Sequence, residues 1–488
     1  MILQTEYDVI ICGFGGAGAA AAIEAHDAGV SVLLLEKMSS GGGSTAVSGG
    51  SIASINDPAR AVEHYLSLTE GRTPRAVLEA HVTGVKELPE WLAGLGADLQ
   101  SSTGRYDGES VLFPQRHSGT AYGGHPHGDA IGKRLFVVEE GNPYASSALW
   151  SRLQAAVNER GIDILYSARA LSVVRNIDGA VCGVDVGIAN ETIVLRDKRA
   201  VVLTCGGFAW RPEMLRENFG IEVPSLGPPG GSSGDGIDMA RLVGADLWHM
   251  NGLAVTYGYK VPNSDAAWMA KITVGSFFIV DQKGKRFMDE TRAESHGANF
   301  TMLARDHISG GFSRVPSYLI FDEAVRLAGP IVTKEWGFNR QNAWSDDNSS
   351  EIRSGWIAKG LSMLELGSAL GLDADASTAL ATTALQYDET VSNGPDMFGR
   401  TSTVRLQGPY YGIPLLPVLV NTQGGPRRDQ RSRVIGANGR PIPRLYSAGE
   451  LGSIWASLYP GAGNLTEALV FGRIAGRDAA ALDPGLTE

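Results

Sequence analysis

The sequence predicts an α/β fold of two domains, one inserted in the other, and three observations carry that expectation. First, 488 residues with 43% hydrophobic content can bury more core than one domain usually holds. Second, residues 7–12 (YDVIIC) form a short apolar run rich in β-branched side chains and lead straight into Gly13-Phe14-Gly15-Gly16-Ala17-Gly18. Third, residues 445–477 read as a short strand at Leu445 and Tyr446, an acidic Glu450, a glycine turn at Gly461 and Gly463, and an amphipathic helix starting near Asn464. A helix that begins just after a glycine turn points unpaired N–H groups and a partial positive charge out of its first turn. Taken alone, 445–477 also reads as a glycine loop before an ordinary core helix.

The N-terminal elements complete a pattern. An alanine-rich helix over 19–28 follows the glycines, then a turn at Gly29, a strand over 31–35 (SVLLL) and Glu36, 18 positions past Gly18. Strand, GxGxxG, helix, strand and acidic residue make the dinucleotide fingerprint of a Rossmann-like domain. Gly13, Gly15, Gly16, Ala17 and Gly18 let the backbone approach a pyrophosphate at the helix N-terminus. Glu36, with Lys37 beside it, is placed to accept hydrogen bonds from an adenosine ribose, and its charge disfavours a 2′-phosphate.

Residues 41–52 (GGGSTAVSGGSI) are too glycine-rich for a helix or a strand interior, so Gly42, Gly43, Ser44, Thr45, Gly49 and Gly50 are expected to wrap the middle of the cofactor. EKMSSGGGSTAVSGGSI resembles the second sequence block of the fumarate reductase and succinate dehydrogenase flavoprotein superfamily, which includes the 3-ketosteroid dehydrogenases. The resemblance implies FAD. Some members carry the flavin on a histidine of this block; here Ser44 and Thr45 stand instead, which implies non-covalent FAD.

Further along, residues 56–100 have helical apolar spacing and read as scaffold. Residues 101–132 break into Gly, Ser, Tyr and His, with Tyr106, His117, Tyr122, His125 and His127, a polar loop of the kind that carries function or stays disordered. A helix over 150–158, a strand over 162–166 and a hairpin-rich stretch over 168–195 follow. Residues 199–204 (RAVVLT) with Cys205-Gly206-Gly207-Phe208, and Gly234-Asp235-Gly236, are similar to superfamily turns beside the flavin. The resemblance therefore implies cofactor contacts at Gly207 and Asp235, and at Glu450, Asn464 and Leu465 in the C-terminal stretch. Lys285-Arg286-Phe287-Met288-Asp289-Glu290 resembles GKRFxNE, and Tyr318-Leu319-Ile320-Phe321-Asp322 with Arg326 resembles YLIFDxxxR. The expected division is an FAD-binding domain over 1–256 and 405–488 and an inserted α+β substrate (capping) domain over 257–404.

The resemblance also shows departures. Fumarate reductases grip two carboxylates with histidines and arginine. Here Asn421 replaces the histidine of HxTxGG, Pro460 the arginine of NRLGGN, and Leu253 the histidine of HPT, while Arg326 alone matches the arginine that protonates fumarate; a structural arginine is its other reading. Tyr459-Pro460-Gly461-Ala462-Gly463 instead has the Tyr-x-Gly-x-Gly spacing of 3-ketosteroid 1-dehydrogenases, in which the tyrosine hydroxyl and the second glycine's N–H bind a ketone oxygen. An ordinary packed tyrosine is the alternative. Glu294 falls where those enzymes carry a proton-abstracting tyrosine, and it reads equally as a partner of Arg292 or His296 on an exposed turn. Tyr122 and Tyr106 are candidates for a further tyrosine at the substrate.

Together these imply an FAD-dependent oxidoreductase acting on the CH–CH bond beside a ketone, in either direction. The alternatives are an enoate reductase for a bulky or aromatic acid, which needs a cation in the pocket, and a flavin-binding protein without turnover. The expected partners are a small molecule, a cyclic ketone or enone, and an electron donor or acceptor that the sequence does not identify. The net charge of −11 argues against nucleic acid or an anionic membrane surface. Cys12, Cys182 and Cys205 have no ligand spacing, so no metal is expected and they read as reduced core residues of a cytoplasmic protein. No apolar run approaches the length of a membrane span.

Overall fold

A computed structural model describes residues 5–101, 110–112, 120–142, 145–262, 265, 267–292, 294, 296–334, 337 and 343–484. Tyr106 and His117 lie outside the described residues.

The YDVIIC run forms the strand Glu6–Cys12 at the centre of a sheet ordered Arg433–Ile435, Pro441–Ser447, Glu191–Leu203, Glu6–Cys12, Val32–Leu35, Asp163–Leu165. From Pro441–Ser447 to Asp163–Leu165 the strands run parallel. Both faces of these strands are covered, which is why they read as continuous apolar runs rather than alternating ones. The register aligns Cys12 with Leu35 and Leu203, and Leu203 with Ser447, so four glycine-bearing or acidic turns leave the sheet along one edge.

Two helices from opposite ends of the chain, Gly16–Asp27 and Gly463–Ala480, pack against each other over this sheet. A Cβ at Gly472 or Gly476 would overlap the carbonyl oxygens of Ala17 and Ala21. Small residues one turn apart thus let the two backbones meet, and Ala19 to Ala22 are fully buried around them. Gly18 serves the same end, lying against the Gly13 carbonyl where helix and strand approach.

The second sheet is antiparallel and ordered Ala267–Met269, Leu253–Lys260, Tyr410–Thr422, Ser317–Asp322, Phe277–Val280, with Ala358–Gly360 also on Tyr410–Thr422. Its strands extend on both sides of the 257–404 stretch, because the strands that carry the chain out and back belong to it. The Lys285–Glu290 motif is a buried lock: Arg286 pairs with Glu290 at 2.8 Å and Asp396 at 2.6 Å, and Arg400 pairs with Glu290 at 3.0 Å. Arg400 also donates to the carbonyls of Gly275 and Phe277. Paired charges with filled hydrogen bonds are tolerated in such a core, and they fix the start of the turn that carries Glu294 and His296.

One helical expectation is corrected. Residues 56–100 hold helices Pro58–Leu68 and Arg75–Gly94, but Asp98–Ser101 is a strand, paired to Leu135–Val138, which pairs in turn with Ser51–Ile52. Gly94 and Gly96 end the helix, and cross-strand pairing then draws Asp98–Ser101 into an extended conformation. The residues that precede Leu135 are thereby carried next to the glycine loop over 41–50. Among the described residues no helix is long and apolar enough to cross a membrane.

Candidate active site

A cavity of about 420 Å³ opens along the carboxyl edge of the parallel sheet, where open α/β sheets bind their ligands. At one end it is lined by Gly13, Gly15, Gly16, Ala17, Glu36 and Lys37. The Glu36 carboxylate accepts the N–H groups of Phe14 at 3.0 Å and Met38 at 2.8 Å, which ties the two turns together and leaves an acidic edge on the cavity. Lys37 pairs with Asp235 at 3.1 Å, and Asp235 also takes Arg169 at 2.8 Å. Burial pushes the Asp235 carboxyl up, but the Arg169 hydrogen bond and the Lys37 charge outweigh it and the net shift is downward.

Along the middle run Gly42, Gly43, Ser44, Thr45, Gly49 and Gly50. Thr45 Oγ1 accepts the Gly16 N–H at 3.0 Å, and Gly42 N–H donates to the Phe14 carbonyl at 2.7 Å, so this loop is fastened to the fingerprint turn. Opposite lie Asp235, Asn421, Glu450, Asn464 and Leu465. Glu450 accepts from the N–H and hydroxyl of Thr422 at 3.1 and 3.0 Å and from Asn421 at 3.3 Å; burial pushes its carboxyl above the usual range. Gly207 sits behind it, where a Cβ would overlap both Thr422 and Glu450. Gly18 and Gly207 are thus close-packing positions next to the cavity rather than part of its wall. A glycine-lined trough with an acidic residue at one end and a helix N-terminus at the other fits an elongated dinucleotide.

The other end is assembled from distant segments. Tyr459 is buried, and its hydroxyl oxygen accepts the Asn464 N–H at 3.4 Å, with the Gly463 N–H directed at the same oxygen. Burial pushes its pKa up to about 12, so it is a neutral donor at working pH. The His296 ring lies 5.0 Å from the Tyr459 ring and forms part of the wall. Its Nδ1 is 3.3 Å from Glu294 Oε1, and its carbonyl accepts the Val255 N–H at 3.0 Å. Glu294 therefore does pair with His296, but on a turn folded inward: the two side chains are 21% and 12% exposed. Tyr122 is half-buried nearby; burial, then the Glu294 charge, raises its pKa. Ala121 N–H donates to the Pro460 carbonyl at 2.7 Å, which fixes this segment to the Tyr459 turn.

Arg326 is not brought to the cavity. It pairs with Glu323 at 2.5 Å and Asp347 at 3.5 Å on the helix Glu323–Leu327. Three features escaped the sequence. His296, read from the sequence only as a partner of Glu294, lines the cavity itself. Arg134, just ahead of Leu135–Val138, also lines the cavity and carries no sequence signal. Beneath the turns, the fully buried Arg428 pairs with Glu467 and donates to the carbonyls of Gly449 and Leu451 at 3.2 Å, while Glu467 takes the Ser453 hydroxyl and the Ile454 N–H. Burial pushes the Glu467 carboxyl up to about 7, and the pair clamps residues 447–454 from below.

Parallel sheet, fingerprint turn and trough define a dinucleotide-binding protein of the Rossmann-like class. The chain belongs to the FAD binding domain family, whose profile matches residues 8–465. It is 28% identical over 494 residues to a fumarate reductase (cytochrome) of Shewanella frigidimarina, covering 97% of this chain and 77% of that one. It is 26% identical over 564 residues to a 3-oxosteroid 1-dehydrogenase of Mycobacterium tuberculosis, covering 96% and 97%. The fold matches the crystal structure of 3-ketosteroid delta1-dehydrogenase from Sterolibacterium denitrificans with a TM-score of 0.80 at 21% identity, over 98% of this chain and all of that one. The protein is an FAD-dependent oxidoreductase acting on CH–CH bonds.

Proposed function

We propose that the bond acted on lies beside a carbonyl group, in dehydrogenation or in the reverse enone reduction, with the carbonyl oxygen held by the Tyr459 hydroxyl; the second donor expected from the sequence, the Gly463 N–H, is directed at the Tyr459 oxygen instead. The observation that carries this reading is the Tyr459 hydroxyl itself. Its oxygen already accepts from the head of the helix Gly463–Ala480, so its proton is left to donate into the cavity. Removing a proton beside a carbonyl builds negative charge on the oxygen, and fixed donors in a dry site stabilise that charge without reorganising.

His296, held by Glu294, is the group that takes or returns the α proton, because it is the titratable ring in the wall nearest Tyr459. Glu294 thus orients the base rather than facing the substrate. FAD, bound without a covalent link because Ser44 and Thr45 occupy the loop, supplies the two-electron acceptor or donor. The inserted stretch over 257–404, with its flanking strands, caps the site. A cyclic ketone or enone fits the Tyr459 donor, and three free cysteines fit a reducing compartment such as the cytoplasm.

A second reading, reduction of an unsaturated acid, is favoured by Arg134 in the cavity wall. Tyr459→Phe tests the first: kcat for an enone should fall by roughly 10²–10³-fold, about 2.7–4 kcal/mol of transition-state stabilisation, with FAD content unchanged. A change of less than about threefold, with chemistry rate-limiting, sinks the assignment.

A further inference from the structure

We infer that His64 is a positioning residue for the end of the cavity that holds Tyr459: from the helix Pro58–Leu68 it fixes the start of the segment 120–134, and through that segment the Tyr459 turn. The inference rests on the reading that Tyr459 holds a substrate oxygen. It adds to that reading a residue that does not itself line the cavity.

His64 is fully buried, and both of its ring nitrogens are bonded to the segment. Nδ1 lies 2.9 Å from the Pro126 carbonyl, and Nε2 lies 3.0 Å from the Thr120 hydroxyl. A carbonyl only accepts, so Nδ1 carries the proton, and Nε2 of the neutral ring accepts from Thr120. Burial lowers the His64 pKa, helped by the charges of His125 and His127 and opposed by the Pro126 hydrogen bond and the Asp129 charge. The net shift is downward, which keeps the ring in the neutral form that this arrangement needs. Arg60, one turn earlier on the same helix, reaches His127 at 3.3 Å and Asp129 at 2.8 Å. Those contacts are exposed and contribute little. The His64 bonds are different, because removing one partner of a buried pair leaves the other unsatisfied.

What the ring holds leads directly to the Tyr459 turn. Thr120 is followed by Ala121, whose N–H donates to the Pro460 carbonyl at 2.7 Å. Gly461 then lies between the two ends of the segment: a Cβ there would be 3.5 Å from Ala121 Cβ and would overlap the Arg134 guanidinium. The far end of the segment is tied separately, by the Asn56 N–H to the Ala130 carbonyl and the Gly132 N–H to the Ser54 carbonyl, each at 2.8 Å. The hydroxyl bonded to His64 is thus one residue away from the main-chain bond that seats Pro460 beside Tyr459. A donor aimed at a developing charge loses most of its effect when it is displaced by about 1 Å, and such a shift costs up to roughly 10²-fold in rate. The adenosine end is independent of this segment, since Glu36 and Lys37 are held by Phe14, Met38 and Asp235.

The test follows anaerobic reoxidation of dithionite-reduced, FAD-loaded enzyme by 2-cyclohexen-1-one, methyl vinyl ketone and benzylideneacetone, in single turnover. His64→Phe keeps a flat ring and removes both bonds; Thr120→Val removes one from the other side. Each should slow the limiting rate for the best enone by roughly 10- to 100-fold, with its half-saturation and the affinity for FAD changed by less than about threefold. The double variant should be no slower than the slower single one, and Thr120→Ser, which keeps the hydroxyl, should recover most of the rate. Rates within threefold of the parent in both single variants overturn the inference, as do effects that add in the double variant. A parallel fall in FAD affinity also overturns it, by making the cofactor the group that His64 serves. If His64→Phe yields no folded enzyme, Thr120→Val against Thr120→Ser decides, and equal rates overturn the inference. Should Tyr459→Phe slow the reaction while the His64 and Thr120 variants do not, the inference alone fails. A parent that reduces none of the three enones, or a Tyr459→Phe enzyme as fast as the parent, removes the underlying reading and the inference with it.

Discussion

The two ends of the cavity are built on opposite plans. At the adenosine end, Gly13 to Ala17, Glu36 and Lys37 come from a single strand–helix–strand unit, and its charged groups are partnered within the protein: Glu36 by two N–H groups, Lys37 by Asp235. At the reacting end, Tyr122 and Arg134, Glu294 and His296, and Tyr459 to Asn464 arrive from three stretches separated by more than a hundred residues each. There the Tyr459 proton and the Arg134 guanidinium are left available. A cofactor of constant shape is met by a local motif that folding completes, whereas a substrate site is assembled late from tertiary contacts, with donors held back for the ligand.

That contrast can be broken. If the reacting end carries the chemistry, His296→Asn should lower kcat by roughly 10²-fold while the yellow FAD-loaded protein is recovered in normal yield. The pH–rate profile bears on Tyr459 as well. Tyr459 supplies no limb below pH 9, because burial moves its pKa from 10 to about 12. The native state favours the neutral hydroxyl, so its contribution is full below pH 10 and is lost only as the pH rises through about 12. An unchanged kcat in His296→Asn would take the proton transfer away from His296.

At the adenosine end the expected effect is smaller and falls on a different quantity. Glu36→Gln keeps an acceptor but removes the charge, so FAD should bind roughly tenfold more weakly or worse, with kcat of the FAD-saturated enzyme unchanged. Apo-protein titrated with FAD by fluorescence quenching reads this directly; a fall in kcat at saturating FAD would mean that the two ends are not independent. The smallest effect belongs to Arg326→Met. Its pairs with Glu323 and Asp347 lie away from the cavity, so activity should change by less than about threefold and stability by about 1 kcal/mol or less by urea unfolding. A large loss of turnover would return Arg326 to the mechanism.

The same contrast explains what was readable in the sequence. Glu6–Cys12, the glycine turn and Glu36 were readable because each step of that unit is fixed by neighbours in sequence, and so was the helix that begins at Gly463 after its turn. Asp98–Ser101 was not, because its partner Leu135–Val138 lies across a polar loop and only pairing makes it a strand. Arg134 was unreadable for the same reason: it reaches Gly461 through the pairing of Leu135 with Ile52, which no local pattern records. His296 was within reach, since Glu294 was singled out and its natural partner stands two residues away. The inward fold of that turn depends on the Arg286–Glu290–Asp396–Arg400 lock, whose members are scattered over more than a hundred residues.

The meeting of Gly16–Asp27 with Gly463–Ala480 has a consequence for the order of biosynthesis. The strands of the antiparallel sheet all lie within 253–422, so that sheet has its full set of strands while the parallel sheet still lacks Pro441–Ser447 and the helix that covers it. The alanine face of Gly16–Asp27 stays without its main cover until Gly472 and Gly476 have been translated. The half of the enzyme begun first is therefore the half finished last.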